Sequence, residues 1–182
     1  MKKYKKQLLM TLGIFLLPSL IFQITLPMLG IGRTYYIPAD AMKPTIVKGD
    51  RVFVETISWD FKINDIVAYE QPPKRGLALN QKHLKRIAAM QGDILSSENL
   101  QLLINGRQVC DLSTYSGHRH ISHWILKLKD GDYVIPKDMY FILGDNIDMS
   151  LDSRTYGLVE KKNIIGKYFF NMGFLSMLIF HW

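Results

Sequence analysis

Apolar residues are spread along this chain in two different ways. From Gln7 to Gly32 no position is charged, and most are Leu, Ile, Phe, Met or small. From Arg33 onward, short apolar runs alternate with polar positions and are cut by Gly, Pro, Asn and Asp. About 20 apolar residues span a hydrocarbon layer of ~30 Å, so the first stretch is long enough to cross a bilayer as one helix. Pro18 and Pro27 are tolerated in such a helix. A cleaved signal peptide has a shorter apolar core, about 7–15 residues, and a soluble helix of this length would show a polar face. The pattern therefore predicts a retained single-pass anchor over 7–32. Lys2, Lys3, Lys5 and Lys6 hold the short segment 1–6 in the cytoplasm, which puts 33–182 on the other side.

The second part reads as strands and turns. Arg51–Glu55 alternates after the Lys48-Gly49-Asp50 turn signal, and Ile63–Tyr69 is a β-rich run stopped by Pro72 and Pro73. Residues 72–80 read as an exposed loop. His83–Ala89 is a further strand, ending near Gln91-Gly92-Asp93. Leu100–Val109 carries the clearest hairpin signal, because Asn105-Gly106 accepts positive φ at both central positions of a type I′ turn. Tyr133–Ile135, Tyr140–Leu143 and Ile164–Phe170 complete a mostly β, antiparallel domain with no convincing amphipathic helix. Tyr168–Trp182 is read as a buried last strand with a short apolar end, or as a patch against the membrane surface with Phe180 and Trp182 in the interface.

Charge and composition narrow the function classes. The net charge is +7, but four of the 23 basic residues precede the anchor, leaving 19 against 16 acids over the rest. No basic stripe suited to nucleic acid remains. The single cysteine, Cys110, excludes an internal disulfide and any zinc site built on two cysteines, and reads as a small buried hydrophobe. His118, His120 and His123 share a short stretch in which i, i+2 partners on a strand lie on one face. Without an acid–His pattern of known spacing they read as surface residues, so neither metal nor cofactor is expected. No Gly-x-Ser-x-Gly elbow supports a Ser-His-Asp arrangement.

The motifs after the anchor point further. They are Ile37-Pro-Ala-Asp-Ala-Met-Lys-Pro-Thr45 with Gly49-Asp50, then Lys85-Arg86 with Gly92-Asp93, and Tyr140–Asn146 with Ser150, Asp152-Ser153-Arg154 and Gly157. In this order they resemble the boxes of type I signal peptidases, membrane-bound serine endopeptidases that cut secretory signal peptides. The segment 144–154 carries the resemblance most specifically. The segment 112–129 does not share it and falls in the family's variable insertion, about 94–135. The resemblance implies an extracytoplasmic antiparallel β domain of signal peptidase type on the bacterial cytoplasmic membrane. It implies preprotein signal peptides as partners, with small residues at the first and third positions before the cleaved bond. General secretion and the maturation of pilin or conjugation-system precursors both fit.

The same resemblance assigns roles. The family uses a serine nucleophile and a lysine general base. A hydroxyl needs something to remove its proton, and a lysine with a pKa of about 10.4 cannot do so until burial lowers that value. Lys85 matches the base, with Arg86 facing the opposite way, and Ser150 matches the serine that orients it. Asp145 and Arg154 match a structural ion pair, with Asp152 beside them. Ala39 and Met42 belong to the oxyanion hole and substrate groove. The match breaks at one place: Ala41 stands at the nucleophile position, and Ala39 replaces a hydroxyl that helps form the oxyanion hole. A methyl group cannot attack a carbonyl, so the chain is expected to bind like a signal peptidase and not to cut. Ala41 is read either as an engineered replacement of serine or as a natural loss. In the second case the chain would be a non-catalytic assembly or chaperone subunit that adds an extended peptide to its sheet. Either way, the amine of Lys85 must lie desolvated within bonding reach of the β-carbon of Ala41.

Overall fold

The longest strand, Lys82–Met90, organises the molecule. In the computed structural model, which describes residues 28–71, 81–112 and 132–173 with isolated positions 4, 13, 25 and 128, it lies between two antiparallel neighbours. In chain order the strands of the larger sheet are β1 (Gly32–Tyr36), β2 (Arg51–Glu55), β3 (Ile66–Glu70), β4 (Lys82–Met90), β9 (Met139–Leu143), β10 (Val159–Glu160) and β11 (Ile164–Asn171). Their spatial order is β1-β2-β11-β3-β4-β9-β10, antiparallel throughout. A second, four-stranded sheet is formed by β5 (Ile94–Glu98), β6 (Gln101–Ile104), β7 (Arg107–Asp111) and β8 (Tyr133–Val134), in the order β7-β6-β5-β8. The mostly β, antiparallel architecture expected from the alternation is the one observed.

The hairpin turns where Asn105-Gly106 predicts it, with φ of 51° and 74° at the two residues. Asn105 also fixes the turn before β5: its Oδ1 accepts from Ile94 N at 2.8 Å and its Nδ2 donates to Asp93 Oδ1 at 2.7 Å. Other boundaries differ from the pattern. The run expected from Ile63 begins as a strand only at Ile66. Asn64 takes φ 74° in a turn closed by Lys62 N to Asp65 Oδ2, 3.0 Å. Strands β1, β5 and β10 carry no clear apolar alternation, and β1 is formed by pairing, with Gly32 opposite Glu55 and Tyr36 opposite Arg51. Ser153–Tyr156 forms a single helical turn with Asp152 as its N-cap.

Leu95, Leu102, Cys110 and Ile135 of the smaller sheet and its borders pack on Ala89, Phe141 and Leu143 of the larger one. Cys110 is thus a buried thiol, and burial raises its pKa. A second cluster joins Ile37, Met42, Ile46, Val52, Val54, Ile66, Ala68 and Leu84. It places the segment after β1 against β2, β3 and β4. Among the described residues no helix is long and apolar enough to cross a membrane. Most of 7–32, the loop 72–80, the histidines at 118, 120 and 123, and residues 174–182 with Phe180 and Trp182 lie outside the described residues.

Candidate active site

Two loops meet beside β4. The first, residues 37–49, leaves β1 and is tied by its own polar groups. Ile37 N donates to Asp50 O, and Gly49 N to Ile37 O, each at 2.9 Å. Asp40 Oδ1 accepts from Lys48 N at 2.9 Å, so an acid at that position serves the loop's closure. Within the loop Met42 is buried against the core, Ala41 is half-buried and Ala39 is exposed.

The second loop, residues 144–152, leaves β9. Asn146 clamps it to the first: its amide donates to Ala41 O at 3.2 Å and its side chain to Asp40 O at 3.0 Å. At Gly144 the second loop passes close to the first. A β-carbon there would collide with the Ser150 side chain and stand 2.5 Å from Ala41 O. Glycine is needed for that close approach. Ser150 is 1% exposed.

Lys85 faces this junction. Arg86 pairs with Leu143 across β4 and β9, so one further step along the register sets Lys85 opposite Gly144. Lys85, Ala41, Ala39 and Met42 line one cavity of about 420 Å³, together with Tyr35, Ile37, His83, Met149 and Leu151. Lys85 is 4% exposed, and burial lowers its pKa to about 8. The Asp152 and Asp145 carboxylates oppose that shift and Arg154 reinforces it. Such an amine is neutral often enough near neutral pH to accept a proton.

Beneath the loops lie two ion pairs, and here one expectation is corrected. Asp145 does not pair with Arg154. Arg86 holds Asp145 with two hydrogen bonds, Nε to Oδ1 at 2.8 Å and a terminal nitrogen to Oδ2 at 2.7 Å. Thr45 Oγ1 adds a third at 2.5 Å. Burial alone would raise the Asp145 carboxyl, but the hydrogen bonds from Arg86 and Thr45 and the Arg86 charge hold it below the usual range. Arg154 pairs instead with Asp152, at 2.9 and 2.8 Å, both side chains fully buried. Asp152 Oδ2 also accepts from Gly144 N at 3.0 Å, and Arg154 donates to Ile147 O at 2.8 Å. The physical reason is reach. Asp152 caps the helical turn that carries Arg154, two residues away, whereas Asp145 lies on the face of the sheet to which Arg86 points.

Sequence reasoning thus named Lys85, Ser150, Ala41, Ala39, Met42, Asp145, Asp152 and Arg154, and the fold brings all eight to one junction. It missed Arg86 as the partner of Asp145, Asn146 as the clamp between loops, and Met149 and Leu151 as walls of the cleft. Both arginine partners were visible in the quoted motifs; their pairing was not. Among the described residues no cluster of His, Cys, Asp and Glu could hold a metal.

Comparisons with known proteins show similarity to one family. The family described as signal peptidase, peptidase S26, matches residues 7–173. Signal peptidase I P of Bacillus subtilis subsp. natto is 33% identical over 138 residues, 72% of each chain. Signal peptidase I V of Bacillus subtilis strain 168 is 32% identical over 141 residues, 72% of this chain and 80% of that one. A crystal structure of a signal peptidase I from Enterococcus faecalis is similar at a TM-score of 0.39 and 26% identity, over 59% of this chain and 96% of that one. With its motifs gathered at one cleft and most of its length matched, this chain belongs to the peptidase S26 family of signal peptidases.

Proposed function

We propose that this chain is a signal peptidase I-like protein that binds the end of a signal peptide in the cleft between Ala41 and Lys85. Its lineage is that of a serine–lysine endopeptidase. Ala41 leaves it without the nucleophile, so that it holds its substrate without cleaving it. The reading rests above all on one observation: Ala41 and the buried Lys85, whose amine has a lowered pKa, line the same cavity. In a serine-bearing relative that amine would take the hydroxyl proton as the oxygen attacks the scissile carbonyl, then return it to the departing amine. Ser150, packed against Gly144, would orient the amine, while Asp145, Asp152 and Arg154 fix the loop beneath. Segment 7–32 would anchor the protein in the bacterial cytoplasmic membrane with 1–6 inside and 33–182 outside. Exported preproteins, or pilin and conjugation-system precursors, would be its partners.

The test is Ala41→Ser. The purified chain should leave a small-x-small preprotein intact, and the Ala41→Ser variant should cleave it after the second small residue. A variant that keeps its fold and still leaves the preprotein whole overturns the assignment.

A second reading, a natural non-catalytic subunit that captures extended peptides, is favoured by the open edge of β4. Its pairing with β9 runs from Arg86 to Met90, whereas β3 pairs along Lys82–Arg86. Among the described residues the backbone of 82–84 is paired on the β3 side only, which suits it to a peptide strand. The codon at position 41 in the source gene separates the two readings: serine there means an engineered enzyme, alanine the binding protein.

A further inference from the structure

The helical turn Ser153–Tyr156 folds back on the loop before it and holds two successive carbonyls. Arg154 donates to Ser150 O at 3.4 Å, and Tyr156 Oη donates to Leu151 O at 3.1 Å. The loop needs such ties, because Met149 and Leu151 are exposed and only Ser150 between them is buried. Arg154 is also bonded to both carboxylate oxygens of Asp152 and to Ile147 O, at 2.8–2.9 Å. Its bond to Ser150 O is the longest it makes, so the tie from Tyr156 is the tighter of the two that flank the peptide after Ser150.

Tyr156 Oη is itself held, by a hydrogen bond with the hydroxyl of Tyr69. A phenol has one proton to give. That of Tyr156 goes to Leu151 O, so Tyr69 is the donor within the pair, and the chain runs from Tyr69 through Tyr156 to the Leu151 carbonyl. Tyr69 is fully buried on β3, opposite His83 of β4, and burial raises its pKa far above the usual tyrosine range. Its hydroxyl therefore stays protonated. His83, which lines the cleft, packs its ring on both tyrosines, with centroids 5.8 and 6.1 Å away. Phenylalanine at 69 and 156 would fill much the same space with no buried hydroxyl to satisfy. What the two hydroxyls add is the hold on Leu151 O.

We propose that Tyr156 is a positioning residue for the cleft: its hydroxyl, held in turn by Tyr69, fixes the Leu151 carbonyl and so keeps Ser150 in place at the junction beside Lys85. The inference rests on the reading of the cleft given above. Leu151 is partly exposed, so without the tie its carbonyl can turn to water. On one side of that peptide Asp152 is clamped by Arg154 and by Gly144 N. The slack therefore falls on the other side, at Ser150, whose side chain packs against Gly144. A displacement of that size matters for proton transfer, which depends on how the reacting groups are oriented.

The test uses the full-length chain in detergent carrying Ala41→Ser, with cleavage of a small-x-small preprotein and thermal unfolding measured side by side. Tyr156→Phe should lower kcat about tenfold. It should also lower Tm by about 4 °C, because the Tyr69 hydroxyl is left buried without its partner. Adding Tyr69→Phe removes that hydroxyl, so the double variant should regain the parent Tm while kcat stays low. Tyr69→Phe alone should cost no more than about threefold in kcat, since Tyr156 still reaches Leu151 O. In a Ser150→Ala background, Tyr156→Phe should cost nothing further. Recovery of kcat together with Tm in the double variant would show that the hydroxyls serve stability alone, and overturns the inference. So does parent kcat in Tyr156→Phe, or an undiminished tenfold loss in the Ser150→Ala background. Each of these leaves the reading of the cleft intact, because the Ala41→Ser parent still cuts. A parent that does not cut removes that reading, and this inference falls with it.

Discussion

The two loops that meet at Gly144 have different tolerance for change. Residues 144–154 are fixed by charge: Asp145 is held by Arg86 and Thr45, Asp152 is held by Arg154 and Gly144 N, and Arg154 is fully buried. Removing one member of a buried ion pair leaves an uncompensated charge, at a cost of about 3–5 kcal/mol. Residues 38–41 have no such constraint. Ala39 is exposed and Ala41 half-buried; the loop is held by the Asp40 side chain, which accepts from Lys48 N, and by the carbonyls of 40 and 41, which accept from Asn146. Any side chain supplies those carbonyls. The contacts made at position 41 run through its carbonyl, so alanine stands there with the hydrogen bonds from Asn146 to the loop in place.

The sharpest way to break this contrast is through Lys85. In the Ala41→Ser background, kcat/KM should rise with pH through about 8, because the amine must lose its proton to act as base. Lys85→Ala in that background should abolish turnover by about 10⁴-fold or more while circular dichroism stays unchanged. Substantial residual cleavage would remove Lys85 from the chemistry.

Next in size is Arg154→Met, which strands the Asp152 carboxylate in the interior. A loss of about 3–5 kcal/mol in denaturant-monitored stability is expected, against almost none for Ala41→Ser. If the two substitutions cost the same, the contrast between the loops fails.

Lys85→Met should do the opposite of Arg154→Met. Burial holds the folded-state pKa near 8 against an ordinary value of 10.5. Between those values the unfolded chain binds more protons than the folded one, so the parent gains stability as pH rises through that window. Below pH 8 the full cost of burying the charged amine is present. Methionine should therefore stabilise the fold at pH 7 on the order of 2–3 kcal/mol, with the advantage shrinking from pH 8 to above pH 10. A variant no more stable than the parent at pH 7 would show that the amine is not desolvated.

The smallest effect is expected for Thr45→Val. One hydrogen bond to Asp145 is lost, but Arg86 still satisfies the carboxylate twice. A loss of about 1 kcal/mol is expected, and a shift of several kcal/mol would mean that Thr45 does more than support Asp145.

Much of this was legible from residue order. The short apolar runs that become β2, β4 and β9, the Asn105-Gly106 turn, and the spacing of Lys85 against Gly144–Arg154 are local properties that can be read along the chain. Strands such as β1 were invisible for the same reason: Gly32–Tyr36 has no face of its own and becomes a strand because β2 offers an edge.

Sequence alone thus determined the antiparallel β class, the chemical types present at the site, and the absence of a hydroxyl at position 41. Only the tertiary structure decided which acid pairs with which arginine. That choice depends on which side chains share a face once β4 and β9 are in register, and identity along the chain does not carry this information. It also decided that Lys85 is desolvated, since burial is a property of the neighbours a residue acquires in the fold.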